Sequence, residues 1–181
     1  MDNMLQLLCH KETPAKSKIK VFADATLSDA GRLWLRYHVE CDLRALETDY
    51  PKPSERSDGL WQTTCFEIFL QGGDSDYLEF NFAPSGQWAA YHFTEYRGGM
   101  TALEIAGPEI GLDASDSHFA LEAALVLPKN WWGRDLTAAI SCILEETHGT
   151  KSYWALAHHR DQPDFHDQAC FTHLLKAAGA A

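Results

Sequence analysis

RSDGLWQTTCFEIFLQGGDSDYLEFNFAPSGQWAAYHFTEYR, residues 56–97, is the stretch whose reading decides the fold. It divides into three alternating runs, TCFEIFL, YLEFNF and QWAAYHF, separated by QGGDSD and PSG, which carry the Gly, Pro, Asp and Ser of tight turns. Successive side chains of a strand point to opposite faces, so Phe66, Ile68 and Leu70 form one face of the first run and Trp61, Cys65 and Glu67 the other. Leu78, Phe80 and Phe82 repeat the apolar face in the second run, leaving Tyr77, Glu79 and Asn81 on the reverse, on the side of Glu67. In the third run the simplest apolar set is Ala89, Tyr91 and Phe93, which leaves Trp88 and His92 beside the carboxylates. The expectation is a three-stranded meander whose reverse face is a polar site with aromatic walls.

Outward from the meander, the pattern stays that of strands. MLQLLCH (4–10) and SKIKVFADAT (17–26) alternate weakly on either side of KETPAK, and RLWLRYHVEC sets Leu33, Leu35, Tyr37 and Val39 against Arg32, Trp34, Arg36, His38 and Glu40. The segment 49–58, DYPKPSERSD, reads as a surface loop at the edge of the site. LEIAGPEIGLDAS is broken by Gly and Pro into edge-like pieces. HFALEAALVL and LTAAISCILEET have the composition of helices, but Phe119, Leu121, Ala123 and Leu125 alternate with period two and the surroundings are β-rich, so both are read as strands. KSYWALAH pairs back through the HGT turn, ACFTHLL is the last strand, and residues 176–181 form a disordered tail. Short strands at regular turn spacing predict an all-β, two-sheet antiparallel sandwich of jelly-roll kind with at most short helical turns, residues 1–181 making one domain.

Charge and cysteine usage narrow the partners. The formal net charge is −11, so a polyanion such as DNA or RNA, or an anionic membrane, meets net repulsion, and no basic run offsets it. MDNMLQLLCHK lacks the basic flank and apolar length of a signal peptide or membrane span. Five cysteines, at 9, 41, 65, 142 and 170, form no paired pattern and fit reduced thiols in a cytoplasmic protein.

Other chemistries find weaker support in the residues. His158, His159, Asp161, Asp164 and His166 are metal-ligating types in one short segment, but their spacing matches no metal motif and a turn-rich loop accounts for them. Cys65 has no base beside it in its strand, and Ser85 lacks a nucleophile elbow. No metal or cofactor is expected. Two like charges on neighbouring strands, Glu67 and Glu79, call for a cation or a ligand between them, and Arg56 or Arg97 is the natural candidate.

DGLWQTTCFEIFL, YLEFNFAPSGQWAAYHF and YWALAHHRDQPDFH resemble the DOMON-like superfamily, in particular a group of bacterial single-domain proteins akin to family 9 carbohydrate-binding modules. The resemblance runs from about Ile19 to Leu175 and rests on a Trp-x5-Glu spacing, a Tyr-x-Glu-Phe-x-Phe strand and a Pro-x-Gly turn in order. It implies a β-sandwich that holds a terminal sugar between two tryptophans, with carboxylates and amides bonding its hydroxyls. Trp61 then matches the first wall, Glu67 the carboxylate, and Glu79 and Asn81 the polar pair of the next strand. Two departures stand out: the sugar-binding modules carry a basic residue where Glu79 lies, and no second tryptophan follows Trp154, leaving His159, Phe165 or His166 in its place. Some relatives bind haem through Met and His, yet no spacing supports Met100 and His92 in that role.

The reading is non-catalytic binding of a small saccharide on a face of Trp61, Glu67, Glu79, Asn81 and Trp88, with Arg56, His92, Arg97, His159, Phe165 and His166 around it. The alternatives are a small glycoside hydrolase using Glu67 and Glu79, and a structural or protein-interaction module without a small ligand.

Overall fold

A computed structural model describes residues 4–48 and 51–178. Residues 1–3 of the amino-terminal MDNMLQLLCHK, residues 49–50 of the surface loop, and residues 179–181 lie outside the described residues. The strands are β1 (Leu5–Cys9), β2 (Lys20–Ser28), β3 (Arg32–Glu40), β4 (Cys65–Gln71), β5 (Tyr77–Phe82), β6 (Trp88–Phe93), β7 (Thr101–Ala102), β8 (Glu109–Ser115), β9 (His118–Val126), β10 (Leu136–Glu145), β11 (Lys151–Ala155), β12 (His173–Leu175) and β13 (Ala177–Ala178). The described helical segments are 3₁₀ turns of three residues, at Leu43–Ala45, Leu60–Gln62, Lys129–Trp131 and Gln168–Cys170.

The strands make an antiparallel sandwich. One layer runs β7-β6-β5-β4-β10-β11 and the other β1-β2-β3-β9-β8. Strand β1 joins them, pairing Leu5–Leu7 with β2 and Leu8 and Cys9 with β11, so the sheet curls over without an open seam there. Both helix-like segments are strands: β9 pairs with β3 along its whole length, and β10 is gripped by β4 on one side and β11 on the other. Non-local pairing on both sides overrides the helical composition of Ala and Leu.

Between the layers, Leu33, Leu35, Tyr37 and Val39 of β3 meet Phe66, Ile68 and Leu70 of β4 and Leu78, Phe80 and Phe82 of β5 in one buried cluster. Phe66 ties the layers together, with ring centroids 5.0 Å from Tyr37 and 5.7 Å, stacked, from Phe119. The Tyr37 hydroxyl donates to the Glu67 carbonyl at 2.6 Å, a buried polar link across the core.

Three features differ from the sequence reading. Trp61 lies in the 3₁₀ turn before β4, not in the strand, which starts at Cys65. The phase of the third run is inverted: the turn closed by Ala83 N–H to Gln87 O, with Gly86 at φ 90°, sets Phe82 opposite Trp88 and Glu79 opposite Tyr91. Cross-strand partners share a face, so Ala89, Tyr91 and Phe93 join the carboxylates, while Trp88 and Ala90 enter the inter-layer core and His92 pairs with Asp76 at 3.0 Å. At the far end Ala169 and Cys170 fall in a 3₁₀ turn, so the last full strand is only His173–Leu175; Ala177 and Ala178, expected in a disordered tail, pair in parallel with Leu27 and Ser28.

Phe66→Ala is expected to cost about 3–5 kcal/mol in urea denaturation, the value of an aromatic removed from a packed core. Tyr37→Phe is expected to cost about 1 kcal/mol for one buried hydrogen bond.

Candidate functional site

The reverse face of β4–β6 is buried as thoroughly as the core face, because other parts of the chain cover it. Cys65, Phe69, Tyr77, Ala89, Tyr91 and Phe93 form a second apolar cluster with Ala139 and Ile143 of β10, Ala155 of β11, and Phe165 and Cys170 from the loop 156–172. That loop is held down by ions. Arg97 donates from Nε and Nη2 to Asp164 Oδ1 at 3.2 and 2.8 Å, the Tyr96 hydroxyl donates to Asp164 Oδ2, and Arg160 lies 3.5 Å from the same carboxylate. Arg97 sits at φ 52°, the one described non-glycine residue in the left-handed region, in the tight turn closed by Gly98 N–H to Glu95 O. A conformation that costs about 1–2 kcal/mol here aims the guanidinium at the loop.

Loop and sheet leave a cavity of about 290 Å³ lined by Trp61, Glu67, Glu79, Tyr91, Phe93, Arg97, Met100, Ile143, Tyr153, Pro163, Phe165 and His166. That is at the low end for small-ligand sites, roughly 300–1,000 Å³. Trp61 stands at the rim, 42% exposed, edge-on to Tyr91 at 6.3 Å. Phe165 is buried 6.0 Å from the Tyr153 ring. A shallower groove of about 690 Å³ at the ends of β2 and β3 is less suited to a ligand. Two pairs of its charges are already made, Lys20 with Glu40 at 2.9 Å and Arg44 with Asp42 at 2.8 Å, and no buried unpartnered polar atom lines it.

The polar groups of the cavity are held in unusual states. Burial, and then the charge of Glu79, push the Glu67 carboxyl well above the ordinary carboxylate range. Burial raises Glu79 to about 7, against the opposing pull of the Asn81 amide, which donates to Glu79 Oε1 at 2.8 Å, and of Arg97. His166 is pushed down to about 4 by burial and by Arg97, so it is neutral near pH 7. The Tyr77 hydroxyl lies 2.8 Å from His166 Nδ1 and accepts from the Arg97 backbone N–H, and His166 Nε2 lies 3.9 Å from Glu79 Oε2.

One row of atoms is left unsatisfied. Across β5, β4 and β10 the register sets Asn81 opposite Glu67 and Glu67 opposite Ser141, all three buried, and Asn81 Oδ1, Glu67 Oε1 and Ser141 Oγ have no hydrogen-bond partner. Native proteins satisfy nearly all such groups, so a cluster of exceptions at a cavity marks a place where a ligand or water completes the bonding. Glu146 shows the contrast. It is fully buried too, but accepts from the Lys16 and Ser17 N–H groups at 2.9 and 2.8 Å and is met by His148 at 3.5 Å.

Of the residues singled out in the sequence, Trp61, Glu67, Glu79, Arg97, Phe165 and His166 line the cavity, and Asn81 lies beneath it. Trp88 and His92 are on the opposite side of the sheet, for the register reason given above. Arg56 clamps the preceding loop to β6, donating to Ala90 O at 2.9 Å and lying 5.2 Å over the Tyr91 ring, outside the lining. Neither it nor Arg97 forms an ion pair with Glu67 or Glu79: their side chains go to Asp58 and Asp164. His159 is exposed and lines nothing. The described residues contain no group of three or more His, Cys, Asp and Glu able to hold a metal, and no helix among them is long and apolar enough to cross a membrane. Of the lining residues, the sequence reading missed Tyr91, Phe93, Met100, Ile143, Tyr153 and Pro163. A correct phase for β6 supplies the first two; the rest arrive from distant strands and loops with no local signal.

No family model matches the chain, and no curated protein matches it. Solved structures that share its fold include two that bear on its function class. One is a protein of Bacteroides uniformis described provisionally as carbohydrate-binding, 14% identical, with TM-score 0.64 over 96% of this chain and 84% of that one. The other is a family 9 carbohydrate-binding module of Caldicellulosiruptor kristjanssonii in complex with cellotriose, 13% identical, with TM-score 0.59 over 98% of this chain and 84% of that one. The chain thus shares the β-sandwich fold of these two proteins.

The raised carboxyls have a consequence for stability. A folded-state value above the unfolded one means that folding favours the protonated form, an advantage complete below pH ~4.5 and lost as pH rises through about 7 for Glu79. Glu79→Gln keeps the acceptor for Asn81 and removes the charge. The variant is expected to exceed the parent by roughly 2–3 kcal/mol at pH 8–9, with the difference vanishing toward pH 4.5, as read by chemical denaturation across pH.

Proposed function

We propose that residues 1–181 form a single DOMON-like binding domain that holds a small saccharide or sugar derivative in this cavity without turning it over. The observation that carries the reading is a buried carboxyl with an unpartnered oxygen, Glu67 Oε1, in a cavity with several aromatic rings in its walls. A sugar ring offers flat C–H faces for rings such as Trp61 and Phe165, and hydroxyls for a carboxylate or amide whose desolvation is otherwise uncompensated. The volume suits one sugar residue, and the exposed edge of Trp61 leaves room for a chain to continue outward. Phe165, from the loop after β11, is the candidate for the second wall. The five cysteines, all free, fit work in the reducing cytoplasm.

One observation favours glycoside hydrolysis as a second reading: Glu67 and Glu79 do share a face, and Glu79 is raised to about 7. Hydrolysis divides the labour between a protonated acid and an ionised partner, with values pushed apart. Here burial drives both carboxyls the same way, so neither is prepared as the ionised member, and binding ranks first.

Titration calorimetry against a panel of mono- and disaccharides tests the reading. Trp61→Ala is expected to lower affinity about tenfold through lost stacking, while Trp88→Phe, altered on the opposite side of the sheet, leaves it unchanged. Binding indifferent to Trp61→Ala would overturn the site. Nitrophenyl glycosides are expected to show no release above buffer with the parent protein, and turnover abolished by Glu67→Gln would instead establish the hydrolase.

A further inference from the structure

Neither arginine near the cavity floor pairs directly with the carboxyls there. Glu67 and Glu79 are 3% and 5% exposed on one face. Arg97, the cation lining the same cavity, donates from Nε and Nη2 to Asp164 Oδ1, and His166 is neutral near pH 7. With the carboxyls ionised, two negative charges face an arginine whose own charge Asp164 already offsets.

The unmet hydrogen-bonding demand also has one sign. Once ionised, Glu67 only accepts, and its Oε1 has no partner; Asn81 Oδ1 and Ser141 Oγ, behind the lining, are unpartnered too. Glu79 Oε2 has His166 Nε2 at 3.9 Å, too far for a hydrogen bond. A group that answers this set donates several hydrogens, accepts none and carries positive charge, which is the description of an ammonium. The walls agree, since Trp61, Tyr91, Phe93, Tyr153 and Phe165 line the cavity, and aromatic rings favour a nearby cation and pack against the carbon skeleton bearing it.

We propose that the ligand of this cavity bears a protonated primary amine whose ammonium lies against Glu67 and Glu79, so that an amino sugar is preferred to a neutral sugar of the same shape. The inference rests on the cavity being the ligand site argued above. In the free protein, bound protons offset the burial of the carboxyls, which burial itself raises, Glu79 to about 7. Proton and ammonium are alternative partners for the same oxygens, so amine binding expels a proton and neutral-sugar binding does not. The other titratable groups packed around the pair are Cys65 on β4, Tyr77 on β5, Tyr91 on β6, Tyr153 on β11, and Arg97, Asp164 and His166. Burial keeps Cys65, Tyr77 and Tyr91 protonated, and Asp164 stays ionised because the hydrogen bonds from Tyr96 and Arg97 outweigh the upward push of burial, so the expelled proton comes from the glutamates.

The experiment is calorimetry of the full chain near pH 6.5, where an amine is charged, in buffers of differing ionisation enthalpy. The probes are glucosamine, glucose and N-acetylglucosamine, with cyclohexylamine and cyclohexanol as a non-sugar pair. Glucosamine is expected to bind about tenfold more tightly than the other two sugars, as one charge-assisted contact implies, and to release roughly one proton. Glu67→Gln removes both the preference and the release; it keeps the shape and leaves no charge to bury, so it is expected to fold, and Glu79→Gln gives an independent second variant. Three sugars bound alike, with no proton released, would overturn the amine while leaving the saccharide reading intact. Cyclohexylamine favoured over cyclohexanol in a Glu67-dependent way, with no sugar bound, would uphold the amine and overturn the saccharide. No binding by any probe would overturn both.

Discussion

Strand β4 is buried on both faces along its whole length, and the site depends on that constraint. A strand with one wet face could carry Glu67 as an ordinary solvated carboxylate. Here the even positions, Phe66, Ile68 and Leu70, pack against the second layer, and the odd positions, Cys65, Glu67 and Phe69, lie under the loop 156–172 and its aromatic residues. The carboxylate is therefore held in an apolar setting by the same alternation that builds the core. Tyr37, reaching across from β3 to the Glu67 carbonyl, fixes the backbone that carries it.

Two buried glutamates in one chain show how the surrounding bonds decide the state of a buried carboxyl. Glu146 has backbone donors on both oxygens, and its value is lowered because those bonds and nearby His148 outweigh the upward effect of burial. Glu67 has an oxygen with no donor and a second carboxylate nearby, and its value goes up. Desolvation acts on both; the bonding around them decides the sign. Arg97 sharpens the difference, because an arginine at the cavity wall that gives its hydrogens to Asp164 anchors the covering loop and leaves the glutamates unpaired. The ion pairs that shape the cavity are thus separate from the groups that would meet a ligand.

Much of the framework was legible in the chain, and the particular residues say why. Alternation in RLWLRYHVEC and in the two runs TCFEIFL and YLEFNF gave strands, faces and the shared side of Glu67, Glu79 and Asn81 directly, because each carries a clean apolar phase. QWAAYHF did not, because it has an aromatic on each phase: Trp88 on one, Tyr91 and Phe93 on the other. Its phase came from the turn at Ala83–Gln87, whose length sets Phe82 against Trp88. Trp61 was assigned to the right neighbourhood but to a strand that begins four residues later.

The sequence by itself determined an all-β sandwich and placed two carboxylates on one face of one meander, since period-two alternation is a local property written residue by residue. Tertiary structure alone decided that this face is dry and that it is a cavity. Its walls come from Ile143 on β10, Tyr153 on β11 and Phe165 and His166 in a late loop, tens of residues away, brought there by strand pairing and by the Arg97–Asp164 ion pair. Burial depends on what the rest of the chain lays over a residue, and it is burial that turned Glu67 and Glu79 from surface charges into groups in want of a partner.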